Sequence, residues 1–306
     1  MKKTLLSLLL IPFFGISQNQ FSFGFDGTTA AMLASGWQST NQSSPSTTSL
    51  WTIASYTTPL TNPLFGSGNT TTVPVGQAGG NNSFALVNFT STSGAGTISN
   101  WLITPDITVQ NGDVVTFYSR KGTDGTTDYP DRLELRMSTA TTTVIPSGGS
   151  AGLGSFTTVC TTVNPSLLGG FVYPKAWTQY SYTVSGLSGP TSVKFAFRYF
   201  VTNGGPSGAN SDLIGIDSFS VDRTLSSDSF FKNNFSIYPN PVSNVLNISV
   251  KNEMTINSLS ITDLNGRVVS SSDSSTSIDV SSLSSGVYFI SVETNEGKGT
   301  SKFVKN

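Results

Sequence analysis

The sequence predicts an all-β protein, an N-terminal jelly-roll β-sandwich followed by a small C-terminal immunoglobulin-like β-sandwich, and three observations lead there. Apolar residues recur at every second position in several short segments. Gly-, Ser-, Thr- and Pro-rich loops separate those segments, and no 3.6-residue period lasts ten residues beyond the N-terminus. Composition supplies the third: only 11% of the 306 residues are charged and 36% are hydrophobic. The surface is therefore largely uncharged and polar, and the Ala, Leu, Glu and Lys density of helical proteins is missing.

The first segment is an export signal by its layout. Lys2 and Lys3 open the chain, Thr4 to Ile16 form an apolar run, and Gly15-Ile16-Ser17 places small residues before a cut, so residues 1–17 read as a secretory signal peptide. The run is shorter than the ~20 residues a bilayer span needs. No later stretch reaches that length, and no membrane span is expected in the mature form.

Residues 18–222 then read as strands joined by loops. A strand follows the Asn111-Gly112 turn, from Asp113 to Tyr118. Leu133, Leu135 and Met137 alternate with Glu134 and Arg136, which places the apolar three inward and the charged two on an outer face as a surface pair. Val193, Phe195 and Phe197 alternate with Lys194, Ala196 and Arg198, and Ile214 to Val221 closes the set. A polar stretch, 223–233, reads as a linker. Residues 234–306 form a second unit of about five strands, with Asn265-Gly266 as its strongest hairpin signal, close to the lower size limit for independent folding.

What is absent narrows the chemistry. The chain has no histidine, which removes Ser-His-Asp and Cys-His catalysis and histidine-ligated zinc. Its one cysteine, Cys160, has no disulfide partner and reads as a small buried apolar side chain. A net charge of −1 offers nothing to a phosphate backbone, so no nucleic-acid partner is expected.

Several boxes in the C-terminal unit occur in a fixed order. They are Tyr238-Pro239-Asn240-Pro241, Val245-Leu246-Asn247-Ile248, Asp263-Leu264-Asn265-Gly266-Arg267-Val268-Val269, Leu283 through Gly286-Val287-Tyr288 to Ile290, and Lys302-Phe303-Val304-Lys305. Together they resemble the type A sorting domain of the type IX secretion system of Bacteroidetes. The resemblance makes Pro239, Asn240, Pro241, Asp263, Gly266, Gly286, Tyr288, Lys302 and Val304 the sorting signal. It implies the secretion machinery and its sortase as partners, a secreted or outer-surface destination, and cleavage between Thr224 and Phe235. Taken singly, each box is also a turn built from residues that turns require.

The first unit resembles the choice-of-anchor J family, related to cleaved adhesin domains. The residues are Phe23-Gly24-Phe25-Asp26-Gly27, Gly36-Trp37, Gly80 to Phe84, Asn100 to Pro105, Asp131 to Leu135, Val193 to Tyr199 and Ile214 to Phe219. Such domains place their first and last strands side by side, which would bring Asp26 and Asp217 together on one structural calcium ion. The plainer reading makes Asp26 part of an Asp-Gly turn and Asp217 a strand-end cap. Asp124, Asp128 and Asp131 form an acidic loop that fits no EF-hand spacing and reads as a solvated turn. Trp37, Trp101 and Trp177 read as core, Trp51 is less constrained, and Tyr56, Tyr129 and Tyr173 are loop residues able to line a ligand surface.

The function expected from all this is a non-catalytic adhesin or binding module with an extracellular carbohydrate or protein ligand. A hydrolase using aspartates alone is the alternative, although the first unit holds a single glutamate, Glu134. A structural matrix component without a soluble ligand is the third.

Overall fold

A computed structural model describes residues 17–59, 73–78, 83–122, 127–224, 227–250, 254–295 and 297–306. The signal peptide through Ile16, the motif residues Gly80, Asn81 and Asn82, and Asp124 lie outside them. The chain divides into two compact units, Asn19–Arg223 and a unit that contains Thr224–Asn306.

The strands of the first unit are, in order, β1 (Ser17–Phe23), β2 (Gln38–Asn41), β3 (Ser44–Ser46), β4 (Thr52–Ser55), β5 (Ser83–Asn88), β6 (Thr92–Ile103) and β7 (Ile107–Val109). Then come β8 (Val114–Lys121), β9 (Leu133–Ser138), β10 (Thr158–Val163), β11 (Thr178–Thr183), β12 (Thr191–Gly204) and β13 (Leu213–Thr224), and one short helix, α1 (Thr29–Ala34), precedes β2. One sheet runs β11-β8-β13-β5-β4 with β1 also on β13, and the other runs β10-β9-β12-β6-β2 with β3 on β6 and β7 on β12. Alternation does the sorting in β8, where every second residue is buried. Val115, Phe117 and Ile216 from one sheet meet Leu135, Phe195 and Phe197 from the other in a single core. Rings interlock across the layers, with Phe117 and Phe197 at 5.0 Å. The sandwich the sequence predicts is the one observed.

Strand β9 departs from the expected alternation, because all six of its residues are buried. The segment 139–157 covers its second face: Phe156 packs with Trp101, Ile103 and Ala196, and Ser138 donates to Ser155 at 2.8 Å. Glu134 and Arg136 are therefore 8% and 7% exposed, and the surface pair expected of them is corrected to a buried one.

The second unit has seven strands where about five were expected. They are β14 (Phe235–Tyr238), β15 (Val245–Val250), β16 (Ile256–Thr262), β17 (Val268–Asp273), β18 (Ser277–Asp279), β19 (Gly286–Thr294) and β20 (Lys298–Lys305). They form sheets β14-β15-β18 and β17-β16-β19-β20. The segment expected as a linker carries a second helix, α2 (Ser227–Asn234). Its Phe230 and Phe231 belong to this unit's core, with Leu246, Ile261, Ile290 and Phe303. A Cβ on Gly299 would stand 3.0 Å from Phe231, so close packing of α2 on β20 requires that glycine.

Candidate functional sites

The closing strand β13 changes neighbour partway along. Leu213 to Ile216 pair with β5, while the same strand also pairs with β1, and Asn19 reaches Asp222 at 2.9 Å. A bulge against β8 falls between Asp217 and Ser220, and Ser218 takes φ 51°. Bulges of this kind re-aim a side chain. Here Asp217, mid-strand rather than at a strand end, is fully buried and accepts N–H bonds from Gln77 at 2.6 Å, Ala78 at 3.4 Å and Ser218 at 2.7 Å. Burial pushes its carboxyl up to about 6 against those bonds, and the charge of Asp26 adds to the rise.

Asp26 is exposed, and its Oδ1 accepts from the Ser83 hydroxyl at 3.2 Å. A Cβ on Gly76 would stand 2.5 Å from the Ser83 carbonyl oxygen, 3.0 Å from Asp217 Oδ2 and 3.3 Å from the Ala78 carbonyl oxygen. The glycine thus lets carboxylate and carbonyl oxygens crowd together. All are hard oxygen donors, the kind calcium takes and soft metals do not. Among the described residues no three Asp, Glu, His or Cys side chains converge as a metal-holding group. Rings hold the same junction: Trp37 lies 5.1 Å from Phe25 and 5.9 Å from Phe219.

Most other carboxylates of this unit are committed to partners. Glu134 Oε2 accepts from Arg136 Nε at 2.6 Å and Arg198 at 3.1 Å. Burial opposes its ionisation, but the two guanidiniums hold it below the ordinary range. Asp113 takes both Arg223 Nε and Nη2 at 2.9 Å. The acidic loop is not solvated as expected. Lys121 is fully buried, donates to Asp128 and lies 3.2 Å from the fully buried Asp131. Asp131 also accepts from the Tyr199 hydroxyl at 2.5 Å and the Asp212 N–H at 3.0 Å. Burial, then the charge of Asp131, pushes Asp212 up to about 6.

The aromatic expectations divide. Trp37, Trp101 and also Trp51 are buried, Trp177 is half-buried and edge-on to Phe84 at 5.4 Å, and Tyr173, expected at a ligand surface, is fully buried beside Ser119. Tyr56 is half-buried against Phe84, and Tyr129 is exposed. Cys160 is half-buried against the core, with burial pushing its thiol up to about 12. Trp51 lines an open cleft of about 390 Å³, together with Thr29, Ser39, Thr48, Thr52 and Asn88 and with Leu33, Leu50 and Leu86 among its apolar walls, and Tyr129 lines a second, of about 200 Å³. The lining of the larger cleft contains no charged residue. Sequence reasoning did not find it, because its walls come from α1, β2, β4, β5 and the turn before β4.

In the second unit the sorting boxes meet. Asn240 Oδ1 accepts the Val304 N–H at 2.9 Å, and Val242 exchanges backbone bonds with Val304 and Asn306 at 2.9 Å. The turn at Pro239 and Pro241 thereby pins the end of β20. Asp263 Oδ1 accepts from the Asn265 and Arg267 N–H groups at 3.0 Å each, and Gly266 takes φ 78°, which shapes the β16–β17 hairpin. Tyr288 donates to the Ser284 carbonyl at 2.9 Å and stacks on Phe303 at 5.8 Å. Gly286 opens β19 and pairs with Lys305, and Lys302 pairs with Phe289.

Residues 236–306 match the family of secretion system C-terminal sorting domains. No curated protein matches the chain. Among solved structures, the K1 cleaved adhesin domain of Lys-gingipain from Porphyromonas gingivalis W83 is 16% identical, covering 69% of this chain and 100% of that one at a TM-score of 0.38. The K3 domain of the same protein is 14% identical, with 67% and 99% covered at 0.38. The glycoside hydrolase domain of Endo-D from Streptococcus pneumoniae R6 is 13% identical, with 88% and 37% covered at 0.31. No helix of the described residues is long and apolar enough to cross a membrane. With the sorting boxes assembled at its C-terminus, this is an exported chain of the type IX secretion route, secreted or attached at the outer surface.

Proposed function

We propose that the first unit is a non-catalytic binding module whose uncharged cleft takes a neutral, hydroxyl-rich ligand, a carbohydrate. The observation that carries this is the cleft lining, where hydroxyl and amide groups alternate with aliphatic walls and no charge intervenes. Sugar sites combine apolar contact with a few placed polar groups. The hydrolase alternative needs two carboxylates facing one bond. Glu134, Asp113 and Asp131 are instead tied to Arg and Lys partners. The test is binding of neutral oligosaccharides to the full chain and to Thr52→Arg, which places a long charged side chain in the cleft. Binding that falls at least tenfold in the variant supports the reading. Glycan binding unchanged by Thr52→Arg, or binding of charged ligands alone, refutes it.

Calcium at Asp26 and Asp217 belongs to the same reading as a structural ion. Asp217, the Ser83 and Ala78 carbonyls and Asp26 would hold it where β1 meets the closing strand. Its role there is to bind the ends of a unit that has no disulfide. Asp26→Asn is the discriminating variant, since Asp217→Ala also removes the acceptor of three N–H groups.

A further inference from the structure

The β17-β16-β19-β20 sheet of the sorting unit has a core face, on which Leu259, Ile261, Ile290 and Phe303 are buried, and an outer face with two unlike halves. In one half the paired rows are Ser271, Ser260, Ser291 and Thr300, then Asp273, Ser258, Glu293 and Lys298. Side-chain bonds between Ser291 and Thr300 at 2.9 Å and from Ser258 to Glu293 at 3.3 Å confirm the shared face. This half is what a water-facing sheet ordinarily shows. The other half carries the row Val268, Thr262, Phe289, Lys302 and, beside it, the pair Val287 and Val304. Leu264 adjoins it from the hairpin. Leu264 is 70% exposed, Val268 60% and Phe289 36%. Lys302 is exposed and makes no ion pair among the described residues.

Apart from Thr262 these residues lie within the sorting boxes, and while their backbones join the ladders their side chains stand outside the buried core. Asn240, Asp263 and Tyr288 from the same boxes are spent on internal bonds. Contiguous exposed apolar surface on a folded unit marks an interaction site. An aromatic anchor with one charge beside it is the composition that gives both affinity and register.

We propose that Leu264, Val268, Val287, Phe289, Lys302 and Val304 form the surface by which a protein receptor of the export machinery grips the sorting unit. The receptor would lay an apolar ridge against Phe289 and a carboxylate against Lys302. This rests on residues 236–306 acting as the sorting domain, and the test separates the two claims. Full-length Phe289→Ser, Lys302→Glu, Lys302→Arg and Ser271→Lys are expressed in a host carrying the secretion system, beside a chain ending at Phe235. Extracellular protein is expected to fall at least tenfold for Phe289→Ser and Lys302→Glu and to stay near the parent level for Lys302→Arg and Ser271→Lys. Circular dichroism melting of each purified variant reports whether the sorting unit is still folded. Should Phe289→Ser unfold, the charge reversal at exposed Lys302 carries the test. Parent-level export of folded Phe289→Ser and Lys302→Glu overturns the patch. So does export that is unchanged while Phe289→Ser abolishes a dimer seen by sedimentation, since the patch would then pair copies. Normal export of the chain ending at Phe235 overturns the sorting reading itself.

Discussion

Replacing Glu134 with Gln leaves two guanidiniums under the 139–157 cover with no carboxylate between them. Arg136 and Arg198 are 7% and 3% exposed and approach Glu134 at 2.6 and 3.1 Å. At an effective dielectric of 20, the two contacts are worth about 6 and about 5 kcal/mol of gross attraction. Desolvation of three charges consumes much of it, and breaking a buried pair from one side costs about 3–5 kcal/mol net. Arg198 keeps its bonds to Ser99 at 3.0 Å and to the Ser150 carbonyl, which favours the lower half of that range. The assay is urea unfolding followed by tryptophan fluorescence. All four tryptophans, Trp37, Trp51, Trp101 and Trp177, lie in the first unit, so the signal ignores the sorting unit. Glu134→Gln should lower the first unit's unfolding free energy by about 3 kcal/mol with m unchanged. The triple change Glu134→Leu, Arg136→Met, Arg198→Met should recover most of it. A loss under about 1 kcal/mol, the size of an exposed pair, would refute burial of this triad.

Three further outcomes follow from the same structure. Calcium at a hundredfold over its Kd should stabilise the first unit by about 2.7 kcal/mol, raising its melting midpoint by about 5–10 °C. A chelator should reverse this, and Asp26→Asn should show no response. Burial, then the charge of Asp131, raises the native Asp212 carboxyl from the ordinary 3.8 to about 6. Between those pH values the native state binds the extra proton, so this carboxyl stabilises the first unit as pH falls and the contribution is lost as pH rises through 6. Asp212→Asn should therefore flatten the slope and add about 1–3 kcal/mol at pH 7.5, read from unfolding curves at several pH values. Phe231→Ala should cost the sorting unit about 3–5 kcal/mol by circular dichroism, where a solvated linker residue would cost nothing.

Alternation was legible wherever one sheet face met the core: Leu133, Leu135 and Met137, or Val193, Phe195 and Phe197, announced their own orientation. The second face of β9 was not legible, because its cover is a Gly-, Ser- and Pro-rich segment whose packing depends on Phe156 finding Trp101 from 55 positions away. The same limit hid the fate of Asp131, whose partners Lys121 and Tyr199 come from other strands. Phe230 and Phe231 were visible as an apolar pair in a polar stretch, and that pair was the available signal for α2. The sorting boxes were the most legible feature, since their turns are local. Which box residues hold the fold and which face outward emerged only from the register of β16, β19 and β20.

An address carried by the C-terminal unit should work on whatever precedes it. Residues 224–306 fused behind a signal peptide and an unrelated fluorescent carrier, in a host with the secretion system, test it most directly. The carrier should then appear in the medium or on the outer surface, as the full chain does. Carrier retained in the periplasm, while the full chain is exported from the same cells, would contradict it.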